Sequence, residues 1–173
     1  MALPTESPNP INDDAKPFRA SPPSVGILTK AFASGLFSGY SPIASGTVGS
    51  AVGLALYFIP GFEQAFVILP VCVLVYVAGV RSAEAMEKVY GRDPSEVTID
   101  EVLGMWVSLL FLPKTIVVAM IAFLVFRILD IVKPYPARRF DNTPGGSGVM
   151  LDDVISGVYT NLLIQLAVAL KII

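Results

Sequence analysis

The chain has 173 residues, of which 54% are hydrophobic and 15% are charged, and its mean hydropathy is +0.68. This hydropathy is well above that of ordinary soluble chains, so the composition favours an integral membrane protein with one domain. Histidine is absent, which excludes a histidine nucleophile, base or metal ligand, and the single Cys72 excludes an intramolecular disulfide.

The N-terminal 24 residues are predicted to form a disordered tail, because they hold six prolines with Ser, Asn and Asp between them. They do not resemble a secretory signal, since no apolar core follows a basic start. Residues 25–40 are mildly amphipathic and predict an entry helix at a membrane interface. The helical membrane domain is expected to cover residues 25–173.

The rest of the chain alternates apolar runs with short polar segments. The runs cover residues 51–58, 65–80, 102–126 and 154–170. Residues 82–91 predict a short helix, and the segment RDPSE after it predicts a turn. Because a membrane span needs about 20 apolar residues, runs 65–80 and 154–170 come close to spanning. The sequence therefore predicts an all-α integral membrane protein with about three to five apolar helices.

The run 102–126 is interrupted by Pro113-Lys114 and allows two topologies. A helical hairpin would bring Asp100-Glu101 and residues 127–153 to the same side, whereas one long span would separate them. The hairpin is preferred because each half is too short to span alone. It also places the basic segments together, which predicts a charged site on the cytoplasmic face.

Two pairs of acids stand where helices are expected to begin. Asp100 and Glu101 follow Thr98, and Asp152 and Asp153 follow a glycine-rich segment. Either pair could serve only as a helix cap or as a partner of the helix dipole. Alternatively, the four carboxylates supply the hard oxygen ligands that Mg²⁺ prefers.

A third cluster follows the apolar run 115–126. Arg127, Asp130 and Lys133 recur every three residues, so on a helix all three could point at one site. The simpler interpretation is a set of ion pairs along the helix, each worth a few tenths of a kcal/mol. Lys133, however, precedes a rigid Pro-Tyr-Pro segment and is well placed to contact a phosphate.

The segment SGTVGS at residues 45–50 leads into a helix and offers two interpretations. Its backbone N–H groups could bind an anion, or Gly46, Gly49 and Gly53 could simply allow close packing of helices. The segment lacks the GK[ST] of a nucleotide P-loop. Together the four clusters indicate phosphoryl chemistry with a metal, in which carboxylates hold Mg²⁺ and cations stabilise the developing negative charge.

The segments PIASGTVGS, IDEVLG, FRILDIVKPYPARRFD and GSGVMLDDVISG resemble, in the same order, the phosphatidylglycerophosphatase A family. The resemblance covers about residues 30–170. It implies a Mg²⁺-dependent, all-helical membrane enzyme, in a bacterial-type inner membrane, that removes the terminal phosphate of the phospholipid phosphatidylglycerol phosphate.

The resemblance also implies roles for individual residues. Asp100, Glu101, Asp130, Asp152 and Asp153 would be the metal-binding and catalytic acids, with Lys133 also catalytic. The phosphate would be bound by Arg127, Lys133, Gly46, Thr47 and Ser50. Two departures from the family pattern are Ser45 before Gly46-Thr47, where proline is usual, and Thr143-Pro144 where a histidine is frequent.

Three other functions compete with the phosphatase of this lipid. A transporter would need ionisable residues within the spans, but here they gather at the ends of the runs. A structural membrane adaptor would need no acid clusters. A phosphatase of the same fold acting on another phosphomonoester remains open, because residues around the phosphate do not report the rest of the substrate.

Overall fold

The computed structural model describes residues 24–141, 143 and 145–173, so the predicted disordered tail lies outside the described residues except for Ser24. All regular structure in the described part is helical, which confirms the all-α prediction. The seven α-helices are α1 Ile27–Ala33, α2 Ser45–Tyr57, α3 Ala65–Tyr90, α4 Ile99–Ser108, α5 Ile116–Val132, α6 Ala137–Asp141 and α7 Gly146–Ala169. A 3-10 turn, Ser38–Tyr40, follows α1.

The short helix α4 forms the centre of the bundle. Every residue of α4 is buried except Glu101, which is half-buried, and the helix packs against α2, α3, α5 and α7. With ten residues it is only about 15 Å long. It is therefore a core helix, and its first turn carries Asp100 and Glu101 into the interior.

Two glycines of α2 allow that helix to lie directly against α4. A Cβ atom on Gly49 would stand 2.7 Å from Cβ of Thr98, and one on Gly53 would stand 3.0 Å from Cα of Val102. The packing interpretation of these glycines is thus confirmed for Gly49 and Gly53. The close approach also lets the Trp106 indole N–H donate to the Gly53 carbonyl over 2.8 Å.

The chain reverses direction between α4 and α5, as the hairpin prediction required. The Asn161 side-chain amide donates to the carbonyls of Ser108 and Leu110 over 3.1 and 2.7 Å, which satisfies acceptors at the end of α4. At the same turn Lys114 Nζ lies 2.6 Å from a Glu63 carboxylate oxygen. The turn is therefore held by α7 on one side and by the loop after α2 on the other.

Three helix boundaries predicted from the sequence are wrong. The entry helix expected over residues 25–40 ends at Ala33, because residues with positive φ follow it. The apolar run 65–80 and the short helix predicted over 82–91 belong to one continuous helix, α3, which ends at Tyr90, because the change in polarity at Arg81 does not interrupt it. Helix α7 begins at Gly146, more than one turn before the predicted start at Asp152. Position 146 requires glycine, because α3 passes so close that a Cβ atom there would strike the Val80 carbonyl.

Within the described residues, α3 is the one helix long and apolar enough to cross a membrane. Its neighbours nevertheless expose large apolar side chains, for example Leu124 and Ile128 on α5 and Leu162 and Leu166 on α7. Such exposure is unusual for a surface in water.

Candidate active site

A cavity of about 330 Å³ lies at the end of the bundle where α4 begins, α5 ends and α7 passes. It brings together all five acids and the lysine that the sequence singled out. The charged residues lining it are Asp93, Asp100, Glu101, Asp130, Lys133, Asp152 and Asp153. The hairpin between α4 and α5 produces this convergence, because it returns the end of α5 to the start of α4.

Three of the carboxylates form a compact group inside the cavity. Asp100, Glu101 and Asp153 each offer an oxygen, and these oxygens lie within 4.8 Å of one another. One oxygen of each residue is buried without a hydrogen-bond partner among the described residues: Asp100 Oδ1, Glu101 Oε2 and Asp153 Oδ2. Buried, unpartnered carboxylate oxygens are strongly unfavourable, so the trio fits a bound cation.

The electrostatics of the trio agree with this interpretation. Burial raises the pKa of Asp100 well above its ordinary range, and neighbouring Glu101 raises it further. Burial likewise raises the pKa of Asp153, with Asp130 adding to the effect, and burial also raises the pKa of Glu101. A bound cation would lower these pKa values, because its positive charge would stabilise the ionised carboxylates and offset their mutual repulsion.

The fourth acid, Asp130, is paired with the arginine one turn before it. Arg127 Nη1 lies 2.8 Å from Asp130 Oδ2, which is one of the ion pairs that the simpler interpretation of this cluster proposed. The same nitrogen donates to Ser50 Oγ over 3.3 Å, and Ser50 Oγ donates to the Gly46 carbonyl over 2.8 Å. Ser50 is fully buried, so its hydroxyl holds the guanidinium in place from behind the cavity.

The fifth acid, Asp152, is paired with the lysine. Lys133 Nζ lies 2.6 Å from Asp152 Oδ2, while Asp152 Oδ1 accepts a hydrogen bond from the Asp153 N–H over 3.0 Å. Lys133 does not continue α5; it ends the helix in a left-handed conformation with φ of 47°. This turn directs the chain into the Pro-Tyr-Pro segment.

The interpretation of both acid pairs as simple caps fits the structure poorly. Thr98 makes no side-chain cap hydrogen bond, and the cap position of α7 is Gly145. Asp152 and Asp153 lie two turns inside α7 and are almost completely buried. Because Asp152 and Asp153 lie inside a helix, they cannot cap it. What they share with Asp100 and Glu101 is that all four line the cavity.

The sequence left two interpretations for residues 45–50, an anion-binding start of a helix or glycines that allow close packing of helices. Ser45 to Ser50 form the first turns of α2, because the left-handed Ala44 before them begins the helix early. Ser45 lines the cavity, whereas Gly46, Thr47 and Ser50 do not. Gly46 faces the site from behind: a Cβ there would strike Glu101 Oε1 and lie 3.0 Å from Arg127 Nη2.

Sequence reasoning missed one wall of the cavity. Asp93, Pro94 and Ser95 line it, although the segment around them was predicted only as a turn. The available signal was its place just before Asp100 in the chain. Arg127, predicted to contact phosphate, is not a lining residue and contacts Asp130 and Ser50 instead.

Comparison with known proteins gives consistent matches. The family model described as phosphatidylglycerophosphatase A matches residues 31–168. A Bacteroides thetaiotaomicron protein, provisionally described as a phosphatidylinositol-3-phosphatase, is 42% identical over 77% of this chain and 89% of its own length. The Escherichia coli phosphatidylglycerophosphatase A is 37% identical over 72% of this chain and 74% of its own length. No solved structure gives a significant match.

Proposed function

The chain belongs to the phosphatidylglycerophosphatase A family and is a phosphatase that hydrolyses a phosphomonoester; on this premise we propose that its substrate is phosphatidylglycerol phosphate. The product is then phosphatidylglycerol, an anionic phospholipid. The observation that carries the proposal is the cavity itself, where five carboxylates and Lys133 from three helices converge. The similarity to the E. coli enzyme supports the lipid substrate.

The proposed cofactor is Mg²⁺, held by Asp100, Glu101 and Asp153. Support comes from the three buried oxygens that have no hydrogen-bond partner in the described part of the chain, since Mg²⁺ binds carboxylate oxygens together with water and substrate phosphate. When bound, the ion would supply charge stabilisation at the phosphate and would make water a better nucleophile. Asp130 and Asp152 border the trio and would complete or orient its ligands.

The cations of the site have separate proposed roles. Lys133 lines the cavity and is the side chain that would bind the phosphate oxygens, exchanging part of its interaction with Asp152 for them. Arg127 would act indirectly, because its ion pair with Asp130 and its hydrogen bond to Ser50 orient the Asp130 carboxylate. Gly46 would keep the space that Glu101 and Arg127 occupy.

We further propose that the protein is membrane-integral, with the site at the cytoplasmic face. The apolar part of α3, residues 65–80, would span, and the exposed apolar faces of α5 and α7 would contact lipid. Basic segments lie close in the chain to residues that line the cavity, and they include Lys88, Arg92 and Arg138. Their distribution supports a cytoplasmic orientation of that end.

A second substrate class has a specific observation in its favour. The B. thetaiotaomicron relative is described by its action on a phosphoinositide, so the phosphate of another lipid headgroup is the alternative. Both candidates present a phosphomonoester on a phospholipid. The residues that line the cavity would contact the phosphate and do not by themselves separate the two substrates.

The test is phosphate release by the purified, detergent-solubilised protein from each lipid in turn, with Mg²⁺ and then with EDTA. We expect Mg²⁺-dependent release from phosphatidylglycerol phosphate, with kcat/KM at least tenfold above that for phosphatidylinositol 3-phosphate. Glu84→Gln serves as the control variant, because Glu84 is an exposed acid outside the cavity. A clear preference for the phosphoinositide would overturn the proposed substrate, and release unaffected by EDTA would overturn the metal.

A further inference from the structure

One face of α5 exposes apolar side chains along nearly the whole helix. Val117, Met120, Leu124, Ile128 and Ile131 are 59, 44, 58, 60 and 72% exposed. Their spacing of three or four residues places them in one row on the helix surface. We call this row the α5 stripe.

The α5 stripe ends at the mouth of the catalytic cavity. Ile131 is its last member and also lines the cavity, between Asp130 and Lys133 in the chain. The other apolar residues that line the cavity, Pro94 and Val97, are buried, so Ile131 is the exposed apolar residue of the lining. Exposed apolar residues of α3 and α7, such as Leu74 and Leu162, are not among the residues that line the cavity.

The stripe has the dimensions and polarity of a lipid chain. From Val117 to Ile131 the helix rises about 21 Å at 1.5 Å per residue, which exceeds the roughly 15 Å of one hydrocarbon leaflet. The stripe carries no charge, whereas the cavity at its end holds carboxylates and Lys133. A molecule with an apolar tail and a phosphate headgroup matches this arrangement, with its tail along the α5 stripe and its phosphate in the cavity.

We propose that the acyl chains of the phospholipid substrate lie along the α5 stripe and that Ile131 is a specificity-determining residue, which guides the phosphate headgroup into the cavity. This inference rests on the proposed function, because it assumes a lipid phosphomonoester. It adds the route by which the substrate enters, from the membrane alongside α5. It also explains why an isoleucine that is mostly exposed borders a site made of charged groups.

The test compares two substrates with the same headgroup, long-chain phosphatidylglycerol phosphate in mixed micelles and a short-chain form that is soluble as a monomer. For Ile131→Asn and Ile131→Ala, we expect the ratio of kcat/KM for the long-chain over the short-chain substrate to fall about tenfold, chiefly through KM. A tenfold change corresponds to about 1.4 kcal/mol. Ile131→Ala is included because alanine favours the helix, so the fold is retained.

The matched control is Leu162→Asn, which places the same polar side chain on an apolar surface of similar exposure outside the cavity. This variant should keep the wild-type ratio. An unchanged ratio in both Ile131 variants, or an equal loss on both substrates, would overturn the inference while leaving the phosphatase intact. Failure of the wild-type protein to hydrolyse either substrate would instead remove the proposed function on which the inference depends.

Discussion

The substitution Gly46→Ala tests the arrangement of the site with the smallest possible change. Gly46 lies in the first turn of α2, and an added Cβ would strike Glu101 Oε1 and stand 3.0 and 3.2 Å from the two terminal nitrogens of Arg127. The obstructing atoms are the ends of flexible side chains and not backbone. The fold should therefore tolerate the alanine, while Glu101 and Arg127 must move away from their positions.

The expected loss can be estimated from the size of that movement. Restoring ordinary contact distances requires Glu101 to withdraw by about 1 Å, and a displacement of about 1 Å near the chemistry can reduce the rate on the order of 100-fold. We therefore expect kcat/KM to fall about 100-fold. The unfolding free energy should change by less than about 1 kcal/mol, because alanine is the better helix former.

The assay is phosphate release in detergent, together with a thermal melt of each variant. Gly26→Ala is the matched control, since no described residue other than its chain neighbours lies within 4 Å of a Cβ at Gly26, and it should behave like the wild-type protein. If Gly46→Ala retained full activity and an unchanged Mg²⁺ requirement, the placement of Glu101 in the metal-binding trio would be refuted.

Three further predictions concern pH, the lysine and the fold. Burial raises the pKa of Asp100 above its ordinary 3.8, so the folded, metal-free protein keeps a proton that the unfolded chain releases above about pH 4. The stability of the metal-free protein should therefore fall as the pH rises above about 4, and Asp100→Asn should reduce this pH dependence. The same variant should weaken the rise in melting temperature that Mg²⁺ induces, and scanning fluorimetry measures both effects. Lys133→Met removes the ion pair with Asp152 and the proposed phosphate contact, so kcat/KM should fall by about 100-fold or more in the phosphate-release assay. Asn161→Ala leaves two carbonyls at the end of α4 without their donor, so denaturant titration should show a loss of about 1–3 kcal/mol while the activity per folded molecule is retained. A flat pH dependence in the wild type, an active Lys133→Met or a fully stable Asn161→Ala would contradict the corresponding argument.

Much of the site was predictable because its residues stand at the ends of apolar runs. Pro113-Lys114 marked the reversal between α4 and α5, and that reversal alone brings Asp100 and Asp130 into one cavity. The spacing of Arg127 and Asp130 likewise indicated their ion pair, as the simpler interpretation of that cluster. These features follow from local sequence and helix geometry, so they can be derived without the tertiary structure.

Other features depend on contacts between distant segments and could not be derived in this way. Gly146 is the first residue of α7 and packs directly against α3, although glycines usually predict a loop. Ser50 was assigned to phosphate, but its burial and its bond to Arg127 depend on how α2 meets α5. The role of the turn at Asp93 likewise depends on its position over the cavity.

The central claim is that the cavity at the start of α4 is the metal-dependent phosphatase site. The most direct measurement is a Mg²⁺ titration of phosphate release from phosphatidylglycerol phosphate, with the wild-type protein, Asp153→Asn and the exposed control Glu84→Gln. The account predicts Mg²⁺-dependent release by the wild type and by Glu84→Gln, and a loss of at least about 100-fold in Asp153→Asn. Wild-type activity in a folded Asp153→Asn protein would contradict the account, because it would place the chemistry outside the cavity.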